Sequence, residues 1–293
     1  MDTRSTSVKT AEVALVTGAS SGIGKALAGE LAARGRTLVL VALPGTGLED
    51  VASDLAHRYG IYAYGLCIDL CDPQAAEQVH DFCRERNLAV DVLVNCAGIG
   101  NLALFHRSEW TQLHRIMVLN NQALVAMTYA FLPEMLQRHS GHILNVGSLA
   151  GFLGLPGKAV YSATKSFVYT FSRSLRTELS GSGVQVCCLC PGGTCDPAIP
   201  KPNTVTKTSY RGSTFIQTPA RVARAAVEGM FGGKFRVIPC WPHQLIYVLH
   251  RVLPVRISVM IQRRIFTRKP KEMPARAALP RLSVLHTLAY ASR

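Results

Sequence analysis

Val13-Ala-Leu-Val-Thr17, followed by Gly18-Ala19-Ser20-Ser21-Gly22-Ile23-Gly24, is the stretch that decides the fold. The first five residues form a short, nearly continuous apolar run, the pattern of a strand covered on both faces. After the glycines, Ile23, Leu27 and Leu31 recur every four residues and mark one buried face of a helix over residues 22–34. A strand that turns through glycines into a helix leaves the first N–H groups of that helix pointing into the turn. Gly18 can make the tight turn, Gly22 lets the backbone approach a phosphate, and Gly24 lets the helix lie close to the sheet. The free N–H groups and the positive end of the helix dipole then face a pyrophosphate, with Ser20, Ser21 and Ile23 completing the loop. A glycine-rich turn with a purely structural role is the alternative.

The same alternation continues outward. Thr37–Leu43, Ile61–Ile68, Asp91–Asn95, His142–Ser148 and Val184–Cys190 read as further strands, with helical spacing between them. Parallel strands need crossover helices, so repeated strand, helix, strand predicts a doubly wound α/β fold around a parallel sheet. No solenoid-period repeat or long linker divides residues 12–240, which are expected to form one domain between a polar arm at 1–11 and an extension at 241–293. The 293 residues are 48% hydrophobic and 17% charged, enough to bury a sizeable core and inconsistent with disorder or a collagen-like repeat.

The net charge of +14 is uneven. Residues 1–250 hold 22 basic and 17 acidic side chains, whereas residues 251–293 hold ten basic and one acidic. The nine cysteines fit no zinc spacing, and Cys187, Cys188 and Cys190 crowd into one apolar run, so they read as small buried hydrophobes in a reducing cytosol, with no metal. The first ten residues lack the apolar stretch of a secretory signal, and no uninterrupted apolar segment reaches the roughly 18 residues of a spanning helix. A cytoplasmic protein, free or peripheral on a membrane, is expected.

A second constellation couples Ser148, at the end of a strand, to Tyr161 and Lys165. Tyrosine and lysine four apart project from one helix face. A free phenol titrates near about 10, and a neighbouring ammonium favours the phenolate, so Lys165 is placed to bring Tyr161 toward neutrality as a proton donor or acceptor. Alone, such a pair is ordinary surface decoration; it gains force in combination.

Thr17–Gly24, Asn95-Cys96-Ala97-Gly98, Asn120, Ser148, Tyr161-Ser-Ala-Thr-Lys165 and Pro191-Gly192 together strongly resemble the short-chain dehydrogenase/reductase superfamily, from about residue 12 to 240. Within it the chain resembles a broad bacterial-type reductase branch, and also the membrane-associated 17β-hydroxysteroid and long-chain 3-oxoacyl-CoA reductases. The resemblance implies a single-domain Rossmann-type fold in which Ser148 bonds the substrate carbonyl and Tyr161 delivers a proton as hydride arrives from a nicotinamide. Lys165 would also hold the ribose hydroxyls. Asn120 would support a proton relay behind the lysine; it is chosen over Asn121 by its spacing to Leu132-Pro133. Asn95, Ala97 and Gly98 would wall the adenosine side, with Cys96 standing where relatives carry a second asparagine. Asp69 would meet the adenine, whereas Asp72 suits a helix cap. Pro191, Gly192 and Thr194 would line the nicotinamide side; relatives often place a threonine where this chain has Asp196.

The cofactor choice turns on the end of the second strand. A carboxylate there would bond the 2′-hydroxyl of NAD(H), and an arginine would take the 2′-phosphate of NADP(H). The chain has Leu43-Pro44-Gly45, with Glu49 and Asp50 further on and Lys25 and Arg36 as nearby cations, so NADP(H) is favoured over NAD(H). From Trp241 the sequence turns amphipathic. His243, Tyr247, His250, Pro254 and Ser258 recur on one side, Leu245, Leu249, Val252, Leu253, Ile257 and Met260 on the other, with a break at Pro254 and Arg251, Arg256, Arg263 and Arg264 alongside. An anchor on an anionic membrane surface and a helix closing the substrate pocket both fit; no nucleic-acid module accompanies the charge. The expected function is interconversion of a ketone and a secondary alcohol on a lipophilic small molecule, by a homodimer, with residues 193–217 as the substrate loop. The competing function is a non-catalytic dinucleotide sensor or membrane scaffold.

Overall fold

The computed structural model describes residues 12–195, 216–254 and 256–260. The polar arm, Asp196, most of the expected substrate loop and the basic chain beyond residue 260 lie outside the described residues. Seven strands form one parallel sheet in the order β3-β2-β1-β4-β5-β6-β7. They are β1 (Val13–Thr17), β2 (Thr37–Ala42), β3 (Ala63–Cys67), β4 (Val90–Asn95), β5 (Gly141–Val146), β6 (Val184–Leu189) and β7 (Arg236–Val237). The chain winds outward from β1 through β2 to β3, then returns to place β4 on the other side of β1. That reversal opens a crevice at the carboxyl ends of β1 and β4. The six expected strands are all present: β1 has the expected bounds, β2 and β6 end one residue early, β3 is three residues shorter, and β4 and β5 each begin one residue early, with β5 ending two early. The edge strand β7 is two residues long, too short for a periodic signal, and is held by Cys188 N to Phe235 O and Cys190 N to Val237 O, at 2.7 and 2.8 Å.

Helices cover both faces. On one lie α1 (Gly22–Ala32), α2 (Leu48–Tyr59) and α8 (Pro219–Phe231), burying Leu27, Leu31, Val222 and Met230 against Val16, Leu40 and Val94. On the other lie α3 (Ala75–Glu85), α4 (Trp110–Met117), α5 (Ala123–Gln137) and α7 (Ala159–Glu178), with Val79, Met127, Phe131 and Leu175 packed on the opposite sheet face. A one-turn helix, α6 (Ala150–Leu153), follows β5, and α9 (Trp241–Val252) follows β7. Strands covered on both sides need no alternation, which is why β1 and β2 are buried at every position. The continuous run Trp110–Gln137 is long and apolar enough, by length and composition, to cross a membrane. Its Leu113, Ile116, Met127, Phe131 and Met135 are buried, the last three in the cluster against the sheet, so it serves as a core helix.

The extension joins the core. Tyr247 of α9 packs edge-on against Phe152 at 4.7 Å between centroids, and its hydroxyl accepts from Arg236 at 2.6 Å. His243 is buried beneath Gly192, where an added Cβ would lie 2.2 Å from the imidazole. Of the polar row of the amphipathic pattern, His243, Tyr247 and Ser258 are buried, His250 is half-buried and Pro254 is exposed, whereas Leu245, Leu249, Val252, Ile257 and Met260 face out. Long-range partners decide this: an aromatic cluster and an arginine receive Tyr247, and a glycine leaves room for His243.

Candidate active site

The glycine turn forms as expected. Gly18 has φ +66°, and a Cβ there would sit 2.9 Å from the Ala97 backbone; a Cβ on Gly24 would sit 2.1 Å from Gly18 O. These two glycines bring β1, α1 and the turn after β4 into direct backbone contact. Gly22 differs. Its φ is +55° and an added Cβ would meet nothing within 4 Å, so it faces the open crevice. No side chain caps α1, whose N-cap is Ser21, and its first N–H groups point to that opening. A turn with an open glycine at an uncapped helix N-terminus fits a dinucleotide pyrophosphate.

Thr17, at the end of β1, is the pin of this corner. Its hydroxyl accepts from Cys96 N and Ala97 N, both at 3.0 Å, and donates to Val94 O at 3.3 Å. The Asn95 amide nitrogen donates to Thr128 Oγ1 at 3.0 Å and Asn145 Oδ1 at 2.9 Å, stapling β4 to α5 and β5, while its Oδ1 is buried without a partner. Ala97 lies against Gly18, and Gly98 against Asn120. Asp69 accepts from Arg115 at 2.9 Å and from Cys71 N at 3.0 Å, so its carboxylate is engaged within the protein. Asp72 accepts from Gln74 N at 2.8 Å and closes the turn before α3. At the end of β2, Leu43 is partly exposed, and Glu49 accepts from the Cys67 thiol at 2.8 Å, a bond that lowers its pKa. Arg36 precedes β2, at the end of the sheet away from the crevice, where it pairs with Glu12 and stacks on Phe231 at 4.7 Å. It is removed as a candidate for a 2′-phosphate; Lys25, exposed in the first turn of α1, stays in reach of the turn.

Asn120, Ser148, Tyr161 and Lys165 converge at the carboxyl end of β4 and β5. Ser148 is fixed by its neighbours: Gly147 N donates to Leu189 O at 2.8 Å and Leu149 N to Pro191 O at 2.9 Å, tying the turn to β6 and to Pro191. Tyr161 and Lys165 stand one turn apart on α7, with Lys165 Nζ 5.9 Å from the Tyr161 ring centroid. Gly151 of α6 lets α7 approach so closely that a Cβ would lie 2.6 Å from the Lys165 backbone. Asn120 sits in a π-helical turn, Val118–Gln122, between α4 and α5, an irregularity often found at functional sites. Its side chain accepts from Ile99 N at 2.9 Å and donates to Ile99 O and to Thr164 Oγ1, both at 3.0 Å. Gly98 lies between the two groups, an added Cβ falling 3.0 Å from Asn120 Oδ1 and 3.4 Å from Lys165 Nζ.

The electrostatics correct one expectation. Burial is the largest influence on Tyr161 and pushes its phenol up from the ordinary tyrosine value, opposed by a hydrogen bond with Ser148. Lys165 is 6% exposed, burial holds its ammonium below the ordinary lysine value, and Nζ donates to Val146 O at 2.8 Å. Desolvation thus sets the direction, opposite to the one expected from the neighbouring ammonium. Cys96 is kept as a neutral thiol, pushed up to about 12 by burial.

Two participants escaped the sequence. Gly100 lies on Tyr161, where an added Cβ would be 3.0 Å from the ring; its signal was the paired glycines of Gly98-Ile-Gly100. Leu102, Leu104 and Phe105 form an exposed apolar rim beside α7, held by Ala103 N to Gly157 O at 2.9 Å. Thr194 pairs with Gln217 in an isolated parallel bridge just past Pro191-Gly192.

This arrangement can hold a carbonyl oxygen between a hydroxyl and a phenol at the mouth of a dinucleotide crevice. Comparisons agree with it. The sequence matches the short chain dehydrogenase family over residues 12–203. It is 40% identical over 182 residues to an uncharacterized oxidoreductase of Myxococcus xanthus (strain DK1622), covering 61% of this chain and 70% of the relative. Among solved structures it resembles a short-chain dehydrogenase from Sphingobium yanoikuyae in complex with NADPH, with 29% identity, a TM-score of 0.70 and coverage of 91% and 98%. It also resembles the bulky-bulky ketone specific alcohol dehydrogenase from Comamonas testosteroni, with 28% identity, a TM-score of 0.68 and coverage of 91% and 97%. With the match spanning both the glycine turn and the Ser148, Tyr161 and Lys165 cluster, the chain belongs to the short-chain dehydrogenase/reductase family and is an oxidoreductase of alcohol and ketone groups.

Proposed function

We propose that this oxidoreductase reduces a ketone on a lipophilic substrate and uses NADP(H) in preference to NAD(H), with Tyr161 as the proton donor. The observation that carries this is the convergence of the half-buried Ser148 and Tyr161 with the buried Lys165 beside the open glycine turn. Gly22, Ile23, Ala97, Gly98, Gly192 and Thr194 would hold the dinucleotide, which supplies the hydride when bound. Ser148 donates to the carbonyl oxygen, and the phenol of Tyr161, kept protonated by its burial, gives that oxygen its proton as negative charge develops. Lys165 steadies the emerging phenolate, and Asn120 holds the Ile99 turn and Thr164 behind it.

The lipophilic assignment rests on the exposed Leu102, Leu104 and Phe105 in the segment that follows Gly100, which itself lies on Tyr161. The NADP(H) assignment rests on Leu43-Pro44-Gly45, which places no carboxylate to repel a 2′-phosphate, and on Lys25 at the turn. A second copy of the chain is the expected partner, with Tyr129 and the stacked Phe167 and Phe171 as an apolar outer face. The test is a fluorescence titration with both reduced cofactors followed by a panel of small and bulky ketones. Tight binding of NADPH with turnover rising with ketone bulk supports the proposal; a preference for NADH above about tenfold, or for small polar ketones, contradicts it.

One observation favours a second property of the same enzyme. The outward face of α9 is apolar, with Val252 77% and Trp241 70% exposed, and Arg251 and Arg256 beside it. An apolar face with cations suits peripheral attachment to anionic lipid from the cytoplasmic side. Co-sedimentation with phosphatidylserine vesicles that is released by salt is expected, and its absence at low salt contradicts attachment.

A further inference from the structure

The turn after β6 is closed by a two-strand pinch. Thr194 pairs with Gln217; Gln217 N donates to Gly193 O at 3.1 Å and Cys195 N to Gln217 O at 3.0 Å. The outgoing and returning chains are thereby held side by side, immediately before Thr218 caps α8. Gln217 is 4% exposed, yet both Nε2 and Oε1 of its side chain lack a hydrogen-bond partner. Buried polar side chains are seldom left unmatched, so a planar amide with both its donor side and its acceptor side open asks for a ligand.

Its position says which ligand. Register partners in a parallel pair project to one face, so Gln217 shares a face with Thr194, whose hydroxyl turns back to Gly192 O at 3.5 Å. Gly192 follows Pro191, whose carbonyl is bonded by Leu149 N beside Ser148. The open amide thus belongs to the turn at the reaction end of the crevice. A nicotinamide delivering hydride to a carbonyl at Ser148 and Tyr161 has to lie at this end, and its ring carries one polar substituent, a primary carboxamide. That group offers an acceptor and donors together, the complement of Gln217, whereas a ketone offers only an acceptor and would leave Oε1 unmatched.

We infer that Gln217 is a positioning residue that holds the nicotinamide carboxamide by a paired amide contact, Nε2 donating to the carboxamide oxygen and Oε1 accepting from its nitrogen, with Thr194 on the same face. This rests on the dinucleotide reading of the glycine turn. The contact would fix the rotation of the ring, and so the face presented to substrate.

The test is equilibrium binding to the full chain of three nucleotides: NADPH, its 3-acetylpyridine analogue, and 2′-phospho-ADP-ribose, which has no nicotinamide. Gln217→Leu is expected to weaken NADPH about tenfold or more and leave 2′-phospho-ADP-ribose within about twofold of wild type. It should also erase the wild-type preference for the carboxamide over the acetyl analogue, and Gln217→Met should do the same. An equal loss for all three ligands, or no loss for NADPH, overturns the inference. Should both variants fail to fold, the wild type still decides: equal binding of NADPH and the acetylpyridine analogue overturns the inference, and a clear preference for the carboxamide supports it. Wild type that binds none of the three overturns the dinucleotide reading itself.

Discussion

The two ends of the crevice are built on different principles. At the β4, β5 and α7 end, the polar side chains that face the reaction are engaged within the protein, Asn120 by Ile99 and Thr164, Lys165 by Val146 and Ser148 by Ala150 N, with the Gln217 amide and Asn95 Oδ1 left open. At the β2 and β3 end, the lip is Leu43-Pro44-Gly45, and the nearest acids are engaged elsewhere, Glu49 with Cys67 and Asp69 with Arg115. Buried matched groups tolerate few alternatives, because an unmatched partner costs about 1–3 kcal/mol, so the reaction end specifies its chemistry. An exposed neutral lip sets a preference by what it fails to repel. The reaction is therefore expected to be harder to change by substitution than the choice between the two cofactors.

The largest effect is expected at the matched end. Tyr161→Phe should lower ketone turnover by about a hundredfold or more while leaving nucleotide affinity near wild type, as for loss of a general acid. Near-normal turnover would break the distinction between the two ends. The pH profile sharpens it. Burial raises the Tyr161 pKa, so the proton donor is present through neutral pH and is lost only above the ordinary tyrosine range. Burial lowers the Lys165 pKa, so the supporting ammonium is lost earlier than in free lysine. Ketone reduction should then be flat near neutrality and fall on the alkaline side, while alcohol oxidation, which needs Tyr161 to accept a proton, should climb with pH. Steady-state rates in both directions check this, and a reduction rate that rises with pH contradicts it.

A smaller effect is expected at the glycine turn. Gly22→Val places a branched side chain at φ +55° and in the open space before α1, so it should weaken both reduced cofactors about tenfold or more with little selectivity change. Fluorescence titration measures it, with circular dichroism confirming the fold. The smallest effect belongs to the neutral lip. Leu43→Asp should move the ratio of NADPH to NADH affinity toward NADH by about tenfold or less and leave kcat with saturating cofactor unchanged. A large loss of kcat at this position would show that the two ends are not separable.

The sequence made the matched end legible because its residues recur at fixed short spacings. Tyr161 and Lys165 share a helix face, and Ser148 follows the end of β5 by two residues. The roles of Asn95 and Asp69 were less legible. Both were expected to face the cofactor, yet the partners that engage them, Thr128 and Asn145 for one and Arg115 for the other, are distant in sequence. The orientation of α9 was hidden for the same reason: periodicity separates two faces but cannot say which is received by Phe152, Arg236 and Gly192. Gly192 itself was evident as a motif, while the imidazole beneath it was not. The direction of the Tyr161 shift depended on burial, which spacing does not report.

The most direct measurement is isotopic. Wild-type protein loaded with NADPH carrying two deuterium atoms at C4 and mixed with the best ketone of the panel should, in a single turnover, yield an alcohol carrying deuterium on the carbinol carbon, one per cofactor oxidised. Mass spectrometry reads the label, and Tyr161→Phe should slow its appearance without changing its position. Nucleotide that binds tightly yet is not oxidised by any ketone in the panel would contradict the account of Ser148, Tyr161 and Lys165 as a ketone-reducing site.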